Sequence, residues 1–580
     1  MRDDRWSTHE EITQTLTCES STATAGGPVL YNRNGRNWCY TGEGHQIFLG
    51  VSGGGKTRRG TLPLRRSVIE AGETLIDNDS KGDGFHALGE LAKQKGYNVR
   101  VINFRNLYGS ACWNPLAAPT ELYRSGDPVK RQVALEQVDE LAHVLYPRNE
   151  KADPFWNDSA RSLFIGAVIV LLEYAKPEEI TISSIHQMIA KGDERFGAST
   201  YLKTFVDHQP DTSIAARLLR SYVTAPNETK ASIRSVFLEG ISMFARSEGL
   251  QEMLGRDDLH INQLDGEEKT AIFIIMPDEN GIYDGLCGCL CSQLMSHYIR
   301  LAQDRYNGRL PRRVNICLEE LGNVGKSITN LPHLMSAGRS RNLRISMVLQ
   351  SLSQLVDIYG ASNATTITSN ADVIVAYRTN HWDTLQELSR KCGERHSEYG
   401  GSVTREPLIA PSQLAAMKTG QALVMVSGSL KFITWLPDYS QLYETQGWQP
   451  PQSHVRQRTA PPSCFDITAL VKNEQRKKLS ESLTNASGKA AKDSEPFFFA
   501  PHPGRTEGKS GEFELRILFT GGNKLAVARA ISANTPLSHG EATRKLENLP
   551  ASIFFKDRAS AEKADKAISE AGGMSVIREV

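Results

Sequence analysis

Hydrophobic positions along the chain fall into distinct regimes, and the changes between them set its organisation. Before residue 120, and again after 261, short apolar runs alternate with helix-period segments. The runs lie at 46–49, 72–77, 98–104, 271–276, 314–318, 343–349 and 372–377. Runs that are apolar on both faces and alternate with helices predict a parallel sheet covered by helices, an α/β fold. Residues 28–45 read as a β-hairpin turning at Asn34-Gly35, and 421–436 as a last β-rich piece. Between 120 and 260 the strand signal stops and helical periodicity takes over, as in 131–145 and 158–174, which predicts an inserted all-α domain. Residues 441–511, with Pro450-Pro451, Pro461-Pro462 and few apolar positions, predict a linker. One helix is expected in it near 467–483, and Phe497-Phe498-Phe499 is its apolar knot. The pattern becomes regular again over 512–580 and predicts β-α-α-β-α-β, a small α+β domain. The expected division is therefore 1–119 and 261–440 for one α/β domain in two parts, 120–260 all-α, 441–511 linker and 512–580 for the small α+β domain.

Composition narrows this only a little. The 580 residues carry a formal net charge of +1, which excludes a generally basic nucleic-acid binder but not a basic lining confined to one channel. Nine cysteines without a repeating spacing fit a reducing compartment. Met1-Arg2-Asp3-Asp4-Arg5 opens without an apolar leader. The longest apolar run, 163–172, is about half a bilayer span. The expectation is a soluble, cytoplasmic chain. Cys287, Cys289 and Cys291 are spaced i, i+2, i+4 and do not converge on a helix, so zinc is not expected.

The chemistry centres on Gly50-Val51-Ser52-Gly53-Gly54-Gly55-Lys56-Thr57, a complete G-x-x-x-x-G-K-[ST] loop after a strand and before a helix. Its glycines let backbone N–H groups converge on a phosphate, and the helix start adds positive potential. Gly50, Ser52, Gly53, Gly54 and Gly55 form the cradle, Lys56 would bridge the β- and γ-phosphates, and the Thr57 hydroxyl would hold Mg²⁺. The cofactors expected are ATP and Mg²⁺. A P-loop ATPase also needs carboxylates at a neighbouring strand end. Glu319-Glu320 follows 314–318, with Glu319 assigned to the Mg²⁺ shell and Glu320 to water activation. Gln350, ending another strand, has the form of a γ-phosphate sensor. Arg58, Arg59, Arg65 and Arg66 read as a partly exposed basic helix behind the loop.

Several further stretches resemble the TraG/TraD-like coupling ATPases of type IV secretion systems. Asp79-Ser80-Lys81-Gly82-Asp83 is close to that family's Asp-Pro-Lys-Gly-Glu, and Trp113-Asn114-Pro115-Leu116 to its Asn-Pro-Leu element. Asp153-Pro154-Phe155-Trp156 resembles the entry to its all-helical domain. Glu319-Glu320-Leu321-Gly322-Asn323 with Ala337-Gly338-Arg339, and Gln350-Ser351 with Gln354-Leu355 and Tyr359-Gly360, complete the set over 28–440. The resemblance implies a RecA-like P-loop motor working as a homo-hexamer. It would hydrolyse ATP and drive single-stranded DNA with its relaxase toward type IV secretion channel proteins. It implies an arginine finger reaching the neighbouring subunit, for which Arg339 is the candidate. The transmembrane helices of many relatives are not seen, so membrane contact is expected through a partner, at the cytoplasmic face. Glu319 stands where the family usually has Asp, which leaves open a nucleotide-gated adaptor with little turnover. Another hexameric DNA pump, of FtsK or HerA type, fits Lys81 and Asn114-Pro115-Leu116 less well. Residues 512–580 resemble the C-terminal domain of the bacterial ribosomal stalk protein through Gly522–Ile531, implying a protein-docking module with Lys524, Arg529 and Lys545 as candidate contacts.

Overall fold

A computed structural model describes residues 4–19, 25–147, 153–399, 402–443, 463–477, 513–520, 523–547 and 549–579. Its centre is a nine-stranded sheet. The strands are β1 (His45–Leu49), β2 (Thr74–Asp79), β3 (Asn98–Asn103), β4 (Thr270–Ile275), β5 (Val314–Leu318), β6 (Leu343–Leu349), β7 (Ala371–Ala376), β8 (Gln421–Val426) and β9 (Leu430–Trp435). Their order is β9-β8-β7-β1-β6-β5-β2-β4-β3. The pairings from β7 through to β3 are all parallel, and β8 and β9 add an antiparallel hairpin at one edge. β1, β2, β4, β5 and β6 are buried at every position, as strands covered on both faces must be. One core layer joins Phe48, Leu75, Phe273 and Val348 to Leu62, Leu64 and Val68 of the helix that follows the phosphate loop.

The expected hairpin forms from Val29–Arg33 and Arg36–Cys39. Asn34 (φ 52°) and Gly35 (φ 74°) make its turn, both left-handed as a tight two-residue connection requires. The 120–260 segment is built from helices including Pro128–Leu145, Pro154–Tyr174, Ile182–Gly192, Ile214–Thr224 and Asn227–Gly240, with one short ribbon at Arg195–Phe196 and Ser199–Thr200. The apolar run 163–172 lies inside a longer helix than its own length suggested. Pro154–Tyr174 is, among the described residues, the one helix long and apolar enough to cross a membrane by length and composition. In its most apolar 18-residue window, 61% is buried inside the molecule.

Contacts divide the chain into two compact units: Met1–Arg161 with Ala175–Ser183 and Ser235–Ser463, and Ser162–Tyr174 with Ser184–Arg234 and Cys464–Val580. The first holds the sheet. In the second, residues 467–477 are helical, and Phe465 N donates to Ser184 Oγ at 3.1 Å. Phe497-Phe498-Phe499 lies outside the described residues. The C-terminal domain pairs β10 (Phe513–Phe519) between β11 (Ala551–Phe555) and β12 (Met574–Glu579), all antiparallel. Helices Lys524–Asn534, His539–Lys545 and Arg558–Glu570 complete β-α-α-β-α-β. Its core is its own: Leu515, Ile517, Val527, Ile531, Ile553 and Ile568.

Candidate nucleotide site

The loop leaves the C-terminal end of β1 and is pinned from both sides. Gly50 N donates to Leu349 O at 3.2 Å on β6, and Val51 N to Arg378 O at 3.0 Å beyond β7. Gly53 (φ 72°) and Gly55 (φ 104°) take left-handed conformations that let the chain double back and enter a helix. That helix is wide over Lys56–Thr61 and becomes α-helical over Leu62–Glu70. Its first-turn N–H groups have no intrahelical acceptors, so they suit an anion. Beside them is a cavity of about 230 Å³ lined by Val51, Ser52, Gly53, Gly55, Lys56 and Thr57, and facing these by Ser80, Lys81, Asp83, Glu319 and Glu320. Lys56 folds back so that Nζ donates to the Gly50 and Val51 carbonyls. Burial holds its pKa below the ordinary lysine value, with Glu320 and Glu319 pulling the other way.

Glu319 reaches this cavity because β5 lies one strand from β1, with β6 between. Thr57 Oγ1 donates to Glu319 Oε1 at 2.6 Å, so the expected metal pair is already side by side. The second oxygen, Oε2, accepts from Arg65 Nη2 at 3.0 Å. The glutamate's extra methylene is taken up by spanning these two partners. Glu320 follows in a left-handed conformation (φ 53°, ψ 48°) and opens the short helix Leu321–Val324.

Arg65 overturns the reading of a partly exposed basic helix. Its side chain is 0% exposed, with Nε 2.7 Å from Asp77 Oδ1 in an ion pair whose angle falls outside hydrogen-bond geometry. Asp79, the same face one pleat on, lies at the same cluster. Its Oδ1 accepts from Lys81 N at 3.0 Å and its Oδ2 from Gly84 N at 2.5 Å. Three carboxyl groups thus surround one guanidinium. Burial and the Glu319 charge push Asp79 up to about 6, against the pull of Arg65. Burial raises Asp77 strongly. Glu319 is held below the usual carboxylate range: burial opposes its ionisation, but Arg65 and the Thr57 hydroxyl outweigh it. Excess negative charge beside Thr57 is what a divalent cation would relieve, and the oxygen donors suit Mg²⁺. The sequence held a signal for this cluster in the four-residue spacing of Thr57, Thr61 and Arg65, and in the i, i+2 spacing of Asp77 and Asp79.

Two predicted residues stand away from the cavity. Gln350, next to β6, is exposed and is not among the lining residues. Its N–H donates to Gln354 Oε1 at 2.8 Å. Arg339 precedes β6, at the end of the sheet opposite the loop, where it is exposed and pairs with Asp372 at 3.1 Å. Arg58, which also lines the cavity, is exposed, and Arg59 is half-buried. Arg58 pairs with Asp438 at 2.6 Å, and Arg59 Nη1 donates to Leu436 O at 2.6 Å. Cys287, Cys289 and Cys291 are buried in the helix Asp284–Arg305, where burial pushes Cys291 up to about 12.

Against this geometry, the family model described as Type IV secretory system Conjugative DNA transfer matches residues 1–431. A conjugal transfer protein TraG of Escherichia coli is 24% identical over 403 residues, covering 66% of this chain and 59% of that protein. The chain spans about six-tenths of the length of the curated TraG relatives it matches. A structure of the plasmid coupling protein TrwB in complex with ADP and Mg²⁺ superposes with a TM-score of 0.56 at 17% identity, over 79% of this chain and 96% of that one. At that identity the likeness establishes the fold alone, the α/β fold of TrwB. A large ribosomal subunit protein bL12 of Solidesulfovibrio magneticus is 37% identical over 73 residues, 12% of this chain and 57% of that protein.

Proposed function

The chain belongs to the Type IV secretory system conjugative DNA transfer family, and we propose that it is the ATP-driven coupling motor of such a system. In this reading it recruits a relaxase–DNA complex at the cytoplasmic face of the membrane and moves single-stranded DNA to the secretion channel. The observation that carries it is the Thr57–Glu319 pair, 2.6 Å apart, beside the phosphate loop. A TrwB structure binds ADP and Mg²⁺ on the same fold, which supports the same ligands here. Bound Mg²⁺ would neutralise the β- and γ-phosphate oxygens. Thr57 and Glu319 would hold it, the loop N–H groups and Lys56 would bind the phosphates, and Glu320 would orient the attacking water. Lys56 must give up the Gly50 and Val51 carbonyls to do so, a local exchange of one set of oxygens for another.

Arg339 lies at the far end of the sheet from its own loop, about five strand residues or ~17 Å away. A finger role for it therefore belongs to a neighbouring subunit, as in a homo-hexamer. The test is ATP hydrolysis with and without single-stranded DNA. The motor reading expects stimulation by DNA and loss of turnover in Lys56→Ala, and a wild type indifferent to DNA would overturn it. One observation favours a second reading, a nucleotide-gated adaptor: both Glu319 oxygens are already engaged, one by a buried arginine. Single-turnover hydrolysis separates the two, because an adaptor binds ATP tightly but cleaves it far more slowly than a motor does.

A further inference from the structure

We infer that Trp435, with Gly420 and Arg59, forms the platform on which the nucleotide's base stacks. This inference rests on the nucleotide reading of the phosphate loop. The loop has two flanks. Toward β6 and β5 lie Glu319 and Glu320, which mark the side where the metal and the terminal phosphate belong. A nucleoside leaving by the other flank would pass Arg58 of the cavity lining and run toward β7, β8 and β9, where Arg59, Gly420 and Trp435 lie outside that lining.

On that flank the surface is built rather than incidental. Trp435 ends β9 and is 54% exposed, a large aromatic body left in water at a cost that a flat ligand would remove. Beside it the backbone is bare. Gly420 has φ 97°, and a Cβ there would meet the Trp435 ring at 3.0 Å and the Arg59 guanidinium carbon at 3.5 Å. The ring and the guanidinium therefore flank the same glycine. Arg59 in turn runs across the last glycine of the loop, where a Cβ on Gly55 would meet its Cδ at 3.0 Å. The parts are tied together: Arg59 Nη1 donates to Leu436 O at 2.6 Å, and Leu436 N donates to Gly420 O at 2.9 Å. Two hydrogen bonds thus link the guanidinium beside the phosphate loop to the backbone beside the indole.

Stacking reads no base edges, because every base has a π-face. The platform should therefore add affinity for any purine nucleoside triphosphate without choosing strongly between adenine and guanine. The nucleoside of ATP is the occupant to which this surface is assigned. A second copy of the chain covering Trp435 is the rival.

The experiment titrates the full chain with a fluorescent ATP analogue and displaces it with ATP, GTP or inorganic tripolyphosphate. Trp435→Ala should weaken ATP about tenfold, within the range for a base on an aromatic ring, and weaken GTP similarly. Tripolyphosphate should be unchanged, which also proves the variant folded. Trp435→Phe should keep most of the affinity while losing the quenching of indole fluorescence by ATP. If wild type binds ATP and Trp435→Ala binds it equally well, the platform is overturned and the loop's nucleotide role stands. If Trp435→Ala instead alters only the mass of the assembly, the rival is correct and the platform is again overturned. If wild type binds neither ATP nor tripolyphosphate, the nucleotide reading itself fails.

Discussion

Arg65 concentrates the electrostatics of the site in one side chain. It lies between Asp77 and Glu319 with no exposure of its own. Replacing one partner of a buried pair leaves the other charge uncompensated and costs about 3–5 kcal/mol. Arg65→Met should therefore lower stability by that order, read in chemical denaturation. Adding Asp77→Asn should recover part of it, since the stranded carboxyl is removed. At the same scale Glu320→Gln should keep ATP affinity and lose turnover, measured as bound nucleotide against product release. Unchanged turnover would remove Glu320 from the water-orienting role. Arg65 also marks what single residues can mislead about. Four arginines after a phosphate loop look like a solvated basic face, because charge alone does not reveal which side of a helix meets the sheet. Only the buried carboxylates on β2 and just after β5 decide that.

At the scale of elements, the helix Asp284–Arg305 carries a buried group that titrates. His297 is buried on it, with Nε2 2.9 Å from Leu264 O. Burial pulls its pKa down to about 4, offset only in part by that hydrogen bond. The unfolded chain titrates near 6.5. Stability from keeping His297 neutral is full above the unfolded value and is lost as pH falls from 6.5 toward 4. Between pH 7 and pH 5 this amounts to about 2 kcal/mol. His297→Gln should flatten the acid side of the stability profile by that much, compared by denaturant midpoints at the two pH values. Arg339 belongs to this scale too, because its place before β6 rather than its chemistry removes it from its own phosphate loop. Arg339→Ala should bind ATP normally and lose hydrolysis. If Arg339 acts on a neighbouring subunit as proposed, mixing it with Lys56→Ala should restore some turnover, and no recovery would overturn the finger role.

For the molecule as a whole, the C-terminal domain has a core of its own, with Leu515, Ile531 and Ile568 at its centre. Residues 511–580 expressed alone should therefore melt cooperatively in a calorimeter, although about 70 residues is near the lower limit for independent folding. Of its three candidate contacts, Lys545 is already engaged, with Nζ donating to Ser552 O at 2.9 Å within the domain. That leaves Lys524 and Arg529 as the cations to test for docking.

Much of this was legible along the chain because it depends on local chemistry. A strand, a run of glycines, Lys56 and Thr57 in order can form one kind of loop, and hydrophobic periods separate sheet from helix without any long-range information. The pairing of Thr57 with Glu319, 262 positions apart, was expected by analogy with how such loops work, and the spacing alone could not supply it. Three facts were settled only by tertiary structure: the burial of Arg65, the clustering of Asp77 and Asp79 around it, and the separation of Arg339 from its own loop. Each depends on which strands lie side by side and which end of the sheet a turn occupies. Local sequence fixes what each residue can do, while strand order fixes which residues it meets.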